Sequence, residues 1–154
     1  MAKRYVADKT IEMTSHFRES DFYRADLHFH GVDHSGATFE GRVFLNNPKA
    51  DEDTATIPAN GYAGSFYIFG HGGCYGDEGH CDVPTRTRPN DLRRPHPLTP
   101  TEISLEITDA LRDAIKKGSD LHVTVVPVVM ASTDKCDLEN VFNFQSYDIK
   151  TYAK

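Results

Sequence analysis

Between His71 and Asp82 the chain gathers His71, Cys74, Asp77, Glu78, His80, Cys81 and Asp82, interleaved with glycines. Thiolates and imidazoles are the ligand set of copper and zinc. The glycines would let the backbone turn tightly around an ion. The spacing is not that of a known zinc site, because no Cys-x2-Cys pair is present. The same two thiols define a disulfide candidate, Cys74–Cys81, which would close a short loop and stiffen it. Disulfide, metal site and free thiols therefore remain three open readings, and a reducing compartment would weigh against the first. Cys136, remote from both, reads as a small thiol side chain.

A second constellation is His28-x-His30. On a strand, residues i and i+2 point to one face, so these imidazoles can share an ion, with His71, His80 or His96 completing the set. The plainer reading places them on the solvated face of an edge strand. His34 lies four residues beyond His30, but Gly31 and the Asp33-His-Ser-Gly36 turn argue against a helix there. Asp77, Glu78 and Asp82 could serve acid–base chemistry, although carboxylates in a glycine-rich loop are more often solvated. Arg86, Arg88, Arg93 and Arg94 form a basic patch that either docks an acidic partner surface or is simply solvated. The chain lacks the glycine-rich dinucleotide and phosphate loops, His-Glu-x-x-His and Gly-x-Ser-x-Gly, so no self-contained catalytic motif is legible.

The elements that must hold these residues follow a period of two. Ala25, Leu27 and Phe29 alternate with Asp26, His28 and His30, which reads as a half-buried strand over 24–32. Phe39, Gly41, Val43 and Leu45 mark a second strand, and the two are expected to form a hairpin across the turn at 33–36. Asn46-Asn47-Pro48 ends the second. Residues 61–70 are apolar on both sides, which predicts a strand buried on both faces. Further strands are expected at 103–107, at 121–130 with Pro127 marking an edge or bulge, at 11–17 and at 141–149. One short helix starts at Thr108 as N-cap, buries Leu111, Ala114 and Ile115, and ends with Lys116, Lys117 and Gly118 at C′. The sum is an all-β antiparallel sandwich of about seven strands with one short helix. Residues 71–100 have no usable period and carry five prolines between Pro84 and Pro100. They form a long Cys/His/Gly/Pro-rich loop, of a length usually tied to function or disorder.

With 154 residues, the chain fits one domain, its core at about 20–130 and a C-terminal extension at 131–154. A formal charge of −6 argues against nucleic acid as partner. No apolar run is long enough for a membrane helix. The first residues lack a signal peptide's apolar stretch, which implies a cytoplasmic protein, or an exported one if the chain is processed or truncated.

The string Ala25-Asp-Leu-His-Phe-His-Gly-Val-Asp-His-Ser-Gly36, with Phe39 to Pro48, resembles the C-terminal β-sandwich of type 3 copper proteins, the tyrosinases, catechol oxidases and molluscan haemocyanins. The resemblance extends through Tyr62-Ala-Gly-Ser-Phe-Tyr-Ile-Phe-Gly70, Ile103-Ser-Leu-Glu-Ile-Thr-Asp-Ala-Leu111 and His122 to Val129. It implies a strand, short helix and strand closing a sandwich. In that family the dicopper centre lies in a separate helical domain, so its catalytic residues have no counterparts here. The sandwich leans over that centre, and the loop 71–98 is the natural candidate for gating it. The resemblance implies an accessory, covering or assembly module for a protein partner such as a copper oxidase. The alternatives are a small copper- or, second, zinc-binding protein using His28, His30, His71, His80, Cys74 and Cys81, and a homo-oligomer subunit. A protein holding no cofactor at all is an equally open expectation.

Overall fold

The computed structural model describes residues 2–7, 22–72, 89–90, 99–118, 120–132 and 136–153. Within them the elements are β1 (Tyr5–Val6), β2 (Arg24–Val32), β3 (Thr38–Leu45), a 3-10 turn (Pro58–Asn60), β4 (Tyr62–Ile68), β5 (Thr101–Glu106), α1 (Thr108–Lys116), β6 (Val123–Ala131) and β7 (Ser146–Tyr152). The strands form two antiparallel sheets, a four-stranded one in the order β1-β6-β3-β4 and a three-stranded one in the order β5-β2-β7. The all-β sandwich with one short helix is therefore the fold observed. The strand expected at 11–17 lies outside the described residues.

Alternation creates the core. Ala25, Leu27 and Phe29 on β2 face Phe39 and Val43 on β3, all essentially without solvent contact. Leu27, Phe29, Phe39 and Val43 each contribute about 1.5–3 kcal/mol on burial. The same inward stripe explains why β2 and β3 do not form the expected hairpin. They are interior strands of opposite sheets, and 33–37 crosses between layers. β2 pairs with β5 and β7, while β3 pairs with β4 and β6. Two strands with equally apolar inner faces bury more by stacking than by lying side by side.

The strand at 61–70 is not buried on both faces. β4 is the last strand of its sheet among the described residues, and Tyr67 and Phe69 are 65% and 79% exposed on its outer side. Its alternation also slips. The pairing with β3 shifts register between Val43 and Phe44, beside Gly64 at φ +139°. Tyr62 thereby packs outside with Phe44, while Ala63 packs on the main core. A one-residue slip exchanges the faces of everything beyond it.

The C-terminal strand begins later than the alternation predicts. Residues 141–144 are irregular, and Phe142 fills the core end-on against Phe29 (5.1 Å between ring centroids), Phe66 (5.3 Å) and Phe144 (4.7 Å). β7 follows at 146–152 and pairs with the whole of β2 from Arg24 to His30. In β6, Pro127 lies opposite Gly41 of β3, beyond the two residues that β1 pairs, Thr124 and Val125. Its missing N–H therefore falls at a local edge.

Helix α1 closes one end of the sandwich with Leu111 and Ala114 buried. Gly118 takes φ +65° and donates its N–H to Ile115 O at 2.9 Å, as expected for C′. The N-terminus differs from expectation. Ile107 occupies the cap position, and Thr108 is the first helical residue. The Thr108 hydroxyl accepts the Ala25 N–H at 3.0 Å and donates to Glu106 Oε1 at 3.0 Å. It fastens the helix to β2 rather than capping it.

Candidate functional site

The outer face of the three-stranded sheet carries the first candidate cluster. β2 runs down the middle of that sheet, so its outward residues are flanked from both sides. His28 and His30 do share this face, their rings nearly parallel with centroids 6.2 Å apart. His30 is engaged at both ring nitrogens, Nδ1 with Glu102 Oε2 of β5 and Nε2 with Asp148 Oδ2 of β7 at 2.9 Å. Glu102 Oε1 also accepts the Gly31 N–H at 3.2 Å. Hydrogen bonds from Asp148 first and Glu102 second raise the His30 pKa above its ordinary value, against a smaller opposing effect of burial. The Gly31 N–H, then His30, hold Glu102 below the ordinary carboxylate value. His28 Nε2 and Asp148 Oδ1 are buried without a hydrogen-bond partner among the described residues.

This geometry places His30 between two carboxylates, with which it forms ion pairs when protonated. A ring nitrogen that donates its proton to a carboxylate has no lone pair to offer a metal. His71 does not join His28 and His30. It lies beside His34, with ring centroids 4.9 Å apart and its backbone N–H donated to His34 O at 3.0 Å. His34 Nε2 in turn donates to Thr99 O at 2.7 Å. The turn at His34 thus holds both His71 and Thr99. Among the described residues, no three of His, Cys, Asp and Glu form a group that could hold a metal ion. His80, His96, Cys74, Cys81, Asp77, Glu78, Asp82, Arg86, Arg88, Arg93 and Arg94 lie outside the described residues, and with them the Cys74–Cys81 disulfide and the basic patch. Cys136 is half-buried, its Sγ 3.5 Å from Gly72 O, in a polar cavity of about 260 Å³ shared with Asp33 and Asp137.

Sequence reasoning missed Glu102 and Asp148. Both occupy outward positions of strands, but they are 72 and 118 residues from His30. Only the pairing register brings them to it. It also missed the other surface feature. Tyr67 and Phe69 point outward from β4, and Met130, 63% exposed, points outward near the end of β6. Glu40 of β3 lies opposite both Tyr67 and Val128, which places the two strands' outward residues on one face. Thr38 pairs with Ala131 and Phe39 with Val129, so Met130 is the extra residue of a bulge. Bulges of this kind re-aim a side chain.

Two packed antiparallel sheets and one closing helix define the described residues as an antiparallel β-sandwich. The solved structures make that concrete. Recombinantly expressed latent aurone synthase, a polyphenol oxidase, superposes with a TM-score of 0.51 at 17% identity, over 98% of this chain and 24% of that one. The same enzyme co-crystallised with hexatungstotellurate(VI) gives 0.52 at 15% identity, over 99% and 24%. The chain thus spans about a quarter of the length of the structures it matches. No protein-family model matches, and neither does any curated protein.

Proposed function

We propose that this chain is an accessory module that covers or assembles with the dicopper body of a polyphenol oxidase. One observation carries the reading: the chain matches end to end a segment forming 24% of a latent polyphenol oxidase. A sandwich of this kind works beside a larger body, and the copper chemistry belongs to that body. The exposed aromatic face supports the same view. Single exposed apolar residues are ordinary on protein surfaces, but Tyr67, Phe69 and Met130 share one face, and such grouping marks interaction sites.

The test uses the purified chain and the dicopper oxidase body of the same organism, expressed without any sandwich of its own. Added at micromolar concentration, the chain is expected to slow catechol oxidation saturably and to co-elute with the body in one-to-one ratio. Phe69→Ser is expected to weaken the complex by about tenfold or more, the range of an aromatic anchor. A chain that neither binds nor slows the oxidase sinks the reading. A chain that elutes as a stable homo-oligomer, and loses that state on Phe69→Ser, replaces it with self-assembly.

A further inference from the structure

We propose that His30 is a protonation-set latch on the head of β5: as imidazolium it fastens both edge strands of the three-stranded sheet to β2, and as the neutral ring it keeps β7 and lets Glu102 go. The inference stands apart from the partner reading above, since it concerns the sandwich alone.

The argument begins with donor count. Imidazolium has N–H groups at both Nδ1 and Nε2, so it can serve Glu102 and Asp148 together; neutral imidazole has one. Losing the proton forces a choice between the carboxylates. Asp148 is the more buried of the two, its side chain 46% exposed against 66% for Glu102. Its second oxygen, Oδ1, is already buried without a partner. Withdrawing the Nε2 proton would leave the whole carboxylate unserved. Glu102 has water and the Gly31 N–H to fall back on. The remaining proton therefore stays on Nε2, and a lone pair at Nδ1 then faces the Glu102 carboxylate and repels it. The ladder is also irregular there, because β2 and β5 change register between Phe29 and Val32, opposite the first residues of β5.

Other charged groups share this face. On β2 they are Arg24, which pairs with Asp26 at 2.8 Å, and His28 beside His30. On β5 there is Glu106, opposite Asp26, and on β7 Lys150, also opposite Asp26 and attractive to Glu102. None supplies a second donor to Glu102 in the contacts described. The raised pKa of His30 gives the sign: its contribution is complete below the unfolded histidine value and is lost as pH rises through the higher folded value. The lowered pKa of Glu102 limits the other side, because that contribution is lost as pH falls through its depressed value. The latch is closed between the two.

Amide hydrogen exchange on the intact chain, corrected for intrinsic exchange chemistry, tests this between about pH 5.5 and about pH 9, either side of the ordinary histidine value near 6.5. Protection of 101–104 is expected to fall several-fold relative to 147–150 as pH rises. His30→Gln is expected to remove that pH response and leave 101–104 weakly protected throughout. Glu102→Gln is expected to remove it as well. Equal responses of β5 and β7, earlier loosening of β7, or an unchanged response in His30→Gln would each overturn the proposal.

Discussion

Adding one methyl group at Gly41 asks how rigid the sandwich interior is. Gly41 lies on the inner side of β3, directly opposite Phe66 of β4. A Cβ built there would fall 2.3 Å from Phe66 Cζ and 2.6 Å from both Cε atoms. Carbon atoms in contact prefer about 3.5–4.0 Å, so the ring must retreat by more than about 1 Å. Its way out is blocked by Phe142 at 5.3 Å, Phe29 at 5.6 Å and Phe39 at 6.3 Å between centroids. Two effects of opposite sign compete. Replacing a strand glycine by alanine gains about 0.5–1 kcal/mol where the backbone tolerates it. Overpacking a filled core costs about 1–3 kcal/mol. With four aromatic rings interlocked the second effect wins, so Gly41→Ala is expected to destabilise by about 1–2 kcal/mol net. Urea unfolding followed by circular dichroism reads this as a lower midpoint at unchanged slope. Phe66→Ala alone should cost about 3–5 kcal/mol. In the double variant the new methyl occupies the space the ring vacates, so the combined loss should be at least about 1 kcal/mol less than the two single losses together. A neutral or stabilised Gly41→Ala, or strictly additive losses, would refute the packing argument.

Thr108→Val removes the hydroxyl that serves the Ala25 N–H. Because Ala25 is fully buried, the expected loss is about 1–3 kcal/mol. Thr108→Ser, which keeps the oxygen, should recover most of it in the same urea titration. Asp137 governs part of the acid limb. It accepts the N–H groups of Glu139 (2.9 Å) and Asn140 (3.2 Å), and these hold its pKa below the ordinary value. Its contribution is therefore present above the unfolded carboxylate value and lost as pH falls through the folded one. Melting temperature recorded from about pH 6 down to about pH 3 should fall less steeply in Asp137→Asn than in the parent. Parallel curves would contradict the assignment.

How much of this architecture could be read in advance follows from what a period of two contains. Alternation at 24–32 and 39–45 tells which residues face inward, and the structure agrees. It carries no information about neighbours, so β2 and β3 looked like a hairpin when they are stacked. Gly118 was legible because a positive φ at a helix end is a local requirement. The slip at Gly64 was not, since a glycine inside an alternating run looks like any other position until its partner strand is known. Phe142 and Phe144 read as strand because aromatics favour strands, yet they serve the core better as an irregular plug. The His28/His30 pair was visible in the sequence, whereas Glu102 and Asp148, which decide what His30 can do, arrive only through the β5-β2-β7 register.

The two outer faces of the sandwich are not equivalent as places for a partner to land. On the three-stranded side the charges already answer one another: Arg24 with Asp26, His30 with Glu102 and Asp148. A partner covering that side must desolvate paired ions, and the loss can exceed what new contacts return. The four-stranded side carries one such pair, Arg42 with Glu40 at 3.0 Å beside Tyr67, but its side chains are already mostly buried, 23% and 17% exposed, while Tyr67, Phe69 and Met130 present apolar surface. Tyr67 and Phe69 stand on firm backbone, because their neighbours Phe66 and Ile68 in β4 are locked into the core. The chain then runs from Phe69 straight into Gly70, His71 and Gly72, which are tied to Thr38 Oγ1, His34 O and Gly36 O. The aromatic face is therefore continuous with the tethered segment from Gly70 to Gly72. A body that docks on Phe69 under the accessory reading would also lie against the tethered residues Gly70 to Gly72. Phe69→Ser and His71→Ser, whose parent rings lie 6.1 Å apart, should then weaken one common complex rather than two separate ones.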